Sequence, residues 1–396
     1  MTTTPIYLDH LASAPLAPAV LDAMLPWLSA AAVGNPHAAH RPGWRAAEAI
    51  DAARAEVAAL VGAPPGAVLF TSGATEANTL ALLGAAAPGG ACVLSAVEHA
   101  SALGCAPELR RRGHPVILLA VDGDGRVDPD RLADTLARQP APALVSIMAA
   151  NNEVGTRQPL AELAAVTRAR GGRFHSDAAQ AAGWGMVEAT AMGLDLVSLS
   201  GHKLGGPMGI GALVVGEAVP LRPPSPGGGQ QRGLRPGTLP TALCVGFGVA
   251  CRLARAHAAA DARRVAALRD RLWARLSAAL PGLRRNGAPD GLPGCLSVAL
   301  PGLDAADLLL GLPDLAAATG SACHSDAAEP SHVLRALGRS AEEAHGTLRF
   351  GLGRTTTAEE VERAAAWVIA AIHAGSPDGF RDIMPARASS PTPGKG

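Results

Sequence analysis

Short apolar runs alternate with helix-period segments through the first half of this chain, and that alternation admits few folds. The runs at 68–70, 92–94, 116–119, 144–148, 196–199 and 212–215 read as buried strands. Between them, 76–83, 102–111, 129–137 and 160–170 read as helices. Strands taking turns with helices argue an α/β unit with a mostly parallel sheet, since parallel neighbours need a crossover and a helix is the usual one. Such sheets bind ligands in the loops at the carboxyl ends of their strands. The conspicuous polar residues follow apolar runs in this way: the 71–75 segment, Glu98 and His99, Asn151 and Asn152, Asp177, and Ser200 to Lys203.

A Pro/Gly-rich loop at 223–229 separates this region from a long Ala/Arg helix pattern reaching about residue 280. Strands are expected near 296–299, 315–317 and 348–350, with helices near 305–310, 331–337 and 358–371. The expected division is a large domain over 16–258, a small domain from 1–15 with 259–374, and a tail over 375–396. With 396 residues, 48% hydrophobic and 17% charged, the chain can bury a sizeable core and is not disordered. Its formal net charge of zero gives no electrostatic reason to expect nucleic acid or an anionic membrane as a partner. The six cysteines form no CxxC pair, so no metal site is expected. The start MTTTPIYLDH lacks a basic-then-apolar leader, and the apolar stretch from Ala242 is broken by Arg252. A soluble protein of a reducing cytoplasm, with free thiols, is the expectation.

The chemistry concentrates in Ser200-Gly201-His202-Lys203 and in Phe174-His175-Ser176-Asp177-Ala178-Ala179-Gln180. Pyridoxal phosphate needs an amine to hold it as a Schiff base and a carboxylate to keep its ring nitrogen protonated. Lys203 and Asp177, twenty-six residues apart, can supply the two. A surface lysine and a helix-capping aspartate is the plainer alternative; the flanking motifs weigh against it. Thr71-Ser72-Gly73-Ala74-Thr75-Glu76, after a strand and opening a helix, suits a phosphate, although Thr75 can equally be a helix cap. His99 can stack on a planar cofactor and handle protons. Gln180 comes within reach of the same ring if the chain turns after Asp177. Asn151-Asn152-Glu153-Val154-Gly155 offers amide groups or is a plain turn. Cys323 lies in Ala318-Thr319-Gly320-Ser321-Ala322-Cys323-His324-Ser325-Asp326, a small-residue loop, whereas free cysteine usually behaves as a buried hydrophobe. That makes it the candidate nucleophile, and the other five cysteines candidate core.

The segments YLDH, GNPHAAHRPG, FTSGATEAN, VEH, VSIMAANNEVG, FHSDAAQAAG, SLSGHKLGGPMGIGAL, GGGQQRGLRPGTLP, GSACHSDAAEPSHVLRALG and LRFGLGRTT occur in one order along nearly the whole chain. In these the chain resembles the cysteine desulfurases of the NifS/IscS type, within the class V aminotransferases. The resemblance implies the fold type I of pyridoxal phosphate-dependent transferases. In it a large domain carries a mostly parallel seven-stranded sheet, beside a smaller C-terminal α/β domain, in a homodimer. It implies that Lys203 is the Schiff-base lysine, Asp177 the pyridinium partner, His99 the stacking acid/base, and Gln180 the ring-hydroxyl contact. Thr75, Ser200 and His202 would hold the phosphate, with Ala74 among the cofactor contacts and Thr238 reaching in from a second subunit. Asn152 and Arg349 would bind the substrate carboxylate. Cys323 would accept sulfur from L-cysteine as a persulfide and pass it to an acceptor protein, leaving L-alanine. A selenocysteine lyase or cysteine C–S lyase on the same scaffold, a class V aminotransferase needing no cysteine at 323, and an inactive homologue serving as a binding partner are the alternatives. The chain departs from the family pattern at Gln231, where Glu is usual, in the Pro-rich 219–226 segment, and at His324 and Asp326.

Overall fold

The computed structural model describes residues 5–29, 33–139, 143–223, 225–320 and 330–375. Cys323, His324 and Asp326 lie outside the described residues, as does the sequence beyond Gly375. After a short strand β1 (Ile6–Tyr7) come β2 (Val68–Thr71), β3 (Cys92–Ser95), β4 (Val116–Leu119), β5 (Leu144–Ser146), β6 (Arg173–Asp177), β7 (Leu196–Ser200) and β8 (Gly211–Val215). The last seven form one sheet in the order β2-β8-β7-β6-β5-β3-β4. Strands β7, β6, β5, β3 and β4 pair in parallel, and β8 runs antiparallel to both β7 and β2. Every residue of β2, β3, β5, β7 and β8 is buried, as expected of a sheet covered on both faces. This is the mostly parallel sheet expected from the alternation, with the seven strands that the resemblance implies.

The single helix expected over 102–111 is two pieces, Ala100–Leu103 and Ala106–Arg111. Pro107 sits in the first turn of the second piece. Without an N–H it is compatible with a helix start and not with a helix interior.

One face of the sheet buries Phe70, Val93, Val145 and Val197 against Ile50, Val57, Phe247 and Cys251. The last four come from the helices Arg41–Leu60 and Thr241–Ala279. Gly248 sets how near those two helices approach: a Cβ there would stand 2.7 Å from the Ala53 Cα. The other face packs Leu69, Leu94 and Leu213 on Leu80 and Ala81 of the helix Ala74–Ala85. The helix Thr241–Ala279 is long and apolar enough to cross a membrane by length and composition alone. Its buried residues, from Ala242 to Leu276, place it inside the fold, and its two halves enter different cores.

That second core joins Val265, Leu272 and Leu276 to Ile6, Leu8, Leu296, Phe350, Val361 and Val368. It is built on β9 (Arg284–Asn286), β10 (Cys295–Ala299), β11 (Leu315–Ala316), β12 (Ala318–Thr319) and β13 (Thr347–Gly351). An antiparallel sheet runs β12-β13-β10-β9, and β11 pairs with β1 in parallel. The amino-terminal strand is thereby drawn into the core made by the carboxyl-terminal third of the chain.

Phe247 is fully buried and meets Phe70 edge-on, with ring centroids 6.5 Å apart. Phe247→Ala is expected to cost about 3–5 kcal/mol by leaving a cavity between helix and sheet, read as a shift of the urea unfolding midpoint at unchanged slope.

Candidate active site

Asp177 is the last residue of β6, and Lys203 ends the one-turn helix Gly201–Lys203 that follows β7. Because β6 and β7 are parallel neighbours, both residues emerge at the same end of the sheet. They line a cavity of about 420 Å³ together with Ala74, Thr75, His99, Asn152, Gln180, Ser200 and His202. Nine of the expected site residues thus meet in one place. Close approach of the 72–74 loop to β8 is possible because position 211 is glycine: a Cβ there would stand 2.4 Å from the Leu199 carbonyl oxygen and 2.7 Å from the Gly73 carbonyl carbon.

The Lys203 amine donates to the carbonyl oxygens of Leu11 at 2.6 Å and Ala12 at 2.8 Å. Gln180 Nε2 donates to the same Leu11 oxygen at 2.9 Å, so the amino-terminal segment forms one wall of the site. Burial first, and then the Arg349 cation, lower the Lys203 pKa to about 8, against the pull of Asp177 and Asp9. An amine of that pKa has roughly a tenth of its population unprotonated at pH 7, which suits it to attack a carbonyl carbon. Asp177 is 5% exposed, and its two oxygens accept from the Ala179 N–H at 3.0 Å and from Asn78 Nδ2 at 2.7 Å. Neither residue fits the plainer alternative of a surface lysine and a helix cap.

The helix Ala74–Ala85 begins at the cavity with Gly73 as its N-cap and no side-chain cap, so Thr75 is inside the helix rather than capping it. Free N–H groups at a helix start attract a phosphate, and Ala74, Thr75, Ser72, Ser200 and His202 surround this one. Amine, buried carboxylate and uncapped helix start are the groups that pyridoxal phosphate requires. Thr238 is exposed and does not line the cavity of its own chain. Its loop is held to the helix by Arg235, whose Nε and Nη2 reach Glu76 at 2.8 and 3.1 Å. The same loop is held to the sheet by Gln231, whose Oε1 accepts the Phe70 N–H at 2.7 Å while its Nε2 donates to the Phe70 carbonyl at 2.8 Å. Strand β2 is at the edge of the sheet, and the Gln231 amide completes it as a further strand would. A Glu at this position could accept but not return the second bond. Gln231 and Arg232 both have positive φ, 48° and 64°.

Of the two asparagines, Asn151 folds the turn, its Oδ1 accepting from the N–H groups of Glu153 and Val154 at 2.8 and 3.0 Å. Asn152 lines the cavity, and its carbonyl accepts from Arg349 Nη1 at 2.9 Å. Arg349 Nη2 reaches Asp9 Oδ1 at 2.9 Å, and its Nε is buried without a hydrogen-bond partner. Arg349 therefore stands behind Asn152, joined to the cavity through it. Asp9, Asn78 and Ser101 were not singled out from sequence, whereas Glu98 was. Asn78 had a signal: a polar residue among the buried Ala77, Leu80 and Ala81 of one helix. Glu98 is fully buried; burial, reinforced by Asp177, pushes its carboxyl well above the usual range, and only Oε1 has a partner, the Met148 N–H at 2.7 Å.

Cys92, Cys105, Cys244, Cys251 and Cys295 are all buried, as expected of core cysteines. Burial raises all five thiols, to about 12 for Cys92 and Cys244 and about 11 for Cys295. Thiols so raised are poor nucleophiles. Next to the Cys323 segment, the Gly320 N–H donates to the Thr347 carbonyl at 2.9 Å and the Ser331 N–H to the Gly320 carbonyl at 3.2 Å. His332 Nε2 lies 2.9 Å from the Glu98 carbonyl oxygen, one residue from His99.

Two measurements follow. In cofactor-free protein, trapping of an aromatic aldehyde by Lys203 under borohydride should rise with pH and be half-maximal near pH 8, whereas an exposed lysine titrates near 10.4. Labelling that follows the exposed lysines means that the amine is not held in the buried site. For the loop, Gln231→Ala should destabilise the protein by about 1–3 kcal/mol and Gln231→Glu by less, because the carboxylate keeps the bond from the Phe70 N–H. Equal stability of all three in urea unfolding would mean that the paired amide contributes nothing.

Residues 6–364 match the family described as Aminotransferase class-V. A cysteine desulfurase of Drosophila melanogaster, named as mitochondrial, is 44% identical over 91% of this chain and 79% of its own. The cysteine desulfurase IscS of Anaeromyxobacter sp. (strain Fw109-5) is 44% identical over 92% of both chains. The solved structure of a NifS-like protein from Rickettsia africae ESF-5 superimposes with a TM-score of 0.83 at 30% identity, covering 96% of this chain and 99% of that one. The chain belongs to the class V aminotransferase family and, within it, to the pyridoxal phosphate-dependent cysteine desulfurases.

Proposed function

We propose that this enzyme removes sulfur from L-cysteine by way of a persulfide on Cys323, with the residue roles that follow. The observation that carries the reading is the meeting of Lys203, Asp177 and His99 in one cavity at the strand ends, in a chain whose other five cysteines are buried thiols. Pyridoxal phosphate, when bound, supplies an electron sink that stabilises negative charge at the substrate α-carbon.

Asp177 would keep the ring nitrogen protonated, its own orientation fixed by Asn78 and the Ala179 N–H. Ser200, His202, Ala74 and Thr75 receive the phosphate at the helix start. Lys203 would hold the cofactor, and its amine would move protons at the substrate α-carbon. Asn152 and Arg349 hold the substrate carboxylate, Arg349 by exchanging part of its pairing with Asp9 for the ligand. The Cys323 thiolate attacks the substrate sulfur. An S–S bond forms, the substrate C–S bond breaks, and a proton delivered to the carbon left behind completes alanine. The sum is thiol plus cysteine giving persulfide plus alanine, with no external oxidant or reductant. The persulfide sulfur then passes to an acceptor protein, in iron–sulfur cluster assembly or another thio-cofactor or tRNA pathway.

Residues 16–258 would serve as the cofactor-holding domain and 1–15 with 259–374 as the domain that carries Cys323. A homodimer is supported by two features. Thr238 is exposed away from its own chain's cavity, and Leu21, Leu25 and Leu28 expose apolar side chains along the first helix and the turn after it. A cytoplasmic location, as expected from the sequence, goes with this reading, although the Drosophila melanogaster relative is named as mitochondrial.

Alanine release from L-cysteine in the Cys323→Ala protein tests the reading. Absorbance of the bound cofactor should persist while alanine formation falls by two or more orders of magnitude, the usual scale for loss of an essential nucleophile. Alanine release at the parent rate would place the nucleophile elsewhere and favour a selenocysteine lyase or C–S lyase.

A further inference from the structure

Asn78 is wholly buried on the helix Ala74–Ala85, and its hydrogen bonds connect two groups that the roles above treat separately. Its Nδ2 donates to Asp177 Oδ2 at 2.7 Å and to Ser101 Oγ at 2.8 Å. An amide NH₂ has two protons, and both are engaged by these bonds. Ser101 Oγ accepts one of them and retains its own O–H to donate. His99 Nδ1 lies 2.8 Å from that oxygen. The backbone N–H of Ser101 is directed at the same ring nitrogen at 3.1 Å, which makes His99 the N-cap of the short helix Ala100–Leu103. A backbone N–H only donates, so His99 Nδ1 must accept. In a neutral imidazole the remaining proton then sits on Nε2.

We propose that Asn78 and Ser101 are positioning residues that tie the Asp177 carboxylate to His99 and hold His99 in the tautomer protonated on Nε2. The inference rests on the reading of His99 as a group that meets the substrate, and it gives that role a direction. Nε2–H offers a hydrogen-bond donor and no lone pair, so neutral His99 cannot take a proton there. The base that removes a proton from the substrate is then the Lys203 amine, whose pKa of about 8 leaves it competent near neutral pH. The chain Asp177–Asn78–Ser101–His99 also explains why a polar side chain occupies a fully buried helix position. It fixes two residues assigned to the cofactor, Asp177 by its carboxylate and His99 by its imidazole.

The test is long-range ¹H–¹⁵N NMR on protein labelled at histidine, with the His99 signals identified by their loss in His99→Gln. The wild type, with and without added pyridoxal phosphate, should show a protonated Nε2 and an unprotonated Nδ1. Ser101→Ala retains the backbone donor but loses the hydroxyl. The two tautomers should then mix, and kcat should fall about threefold to tenfold, the equivalent of one hydrogen bond, with KM within about twofold of wild type. Ser101→Thr, which restores a hydroxyl, should recover both. Ser101 is partly exposed, so these variants test the chain without opening a cavity at Asn78. A wild-type His99 protonated on Nδ1, or a Ser101→Ala protein with unchanged tautomer and unchanged kcat, overturns the proposal. Wild-type protein that makes no alanine from cysteine overturns the reaction instead, since the tautomer is read whether or not the enzyme turns over.

Discussion

A carboxylate buried at the end of a central strand organises this molecule. Taking a charge out of water costs several kcal/mol unless hydrogen bonds and an opposite charge replace the lost solvation. Asp177 is almost wholly buried, and two hydrogen bonds and the electrostatic pull of Lys203 offset this. Asn78 arrives on the helix after β2, the Ala179 N–H from the turn after β6, and the cationic end of Lys203 from the turn after β7. The Ala179 N–H is local, but Asn78 and Lys203 cannot be placed unless the sheet order brings β7 beside β6 and the helix Ala74–Ala85 close to their ends. The carboxylate therefore holds its position only in the assembled fold, and the fold provides a dry, charged floor for a ligand.

The cost of that arrangement is a site where burial opposes ionisation. Glu98 has one oxygen unsatisfied and burial drives it toward its neutral form; His175, two residues before Asp177, is bracketed by Ser146 and Ser198 at 2.9 Å each, and burial lowers its pKa to about 4. Among the described residues, Asp177, Lys203, the more distant Arg349–Asp9 pair and the Glu76–Arg235 pair at the helix start bring charge to the region. Concentrating charge in few groups strengthens each of them, because the surrounding sheet offers little screening.

The second core meets this floor along one loop. Residues 151–155 give Arg349 the Asn152 carbonyl, Ser331 the Glu153 carboxylate, and the Leu292 N–H the Gly155 carbonyl. Ser331, which follows Cys323 in the chain, is thus fastened to the same loop that supplies Asn152 to the cavity. The proposed attack of Cys323 on a substrate held at Asn152 would need such an arrangement, since reacting atoms must come within van der Waals distance.

Much of this was legible in the residues. Continuous apolar runs marked the buried strands because a parallel sheet hides both faces, and the polar residues directly after those runs marked the strand ends where a ligand sits. Lys203, Asp177, His99, Gln180, Ala74, Thr75, Ser200, His202 and Asn152 could be gathered from that rule together with the motifs. Local order alone misjudged one point, since Pro107 opens a new helix inside what reads as one, and it left one open, since Thr75 lies past the cap it could equally have been. The tertiary structure alone decided which groups share hydrogen bonds. Asp9 and Arg349 are 340 residues apart, and Gln231 and Phe70 are 161 apart, yet each pair is joined directly. Asn78 and Ser101 meet because one helix crosses the sheet above the start of another. Periodicity records which face of an element is apolar. It carries no record of which polar atom, across the fold, completes another, because that depends on distances set only when every strand has found its neighbour.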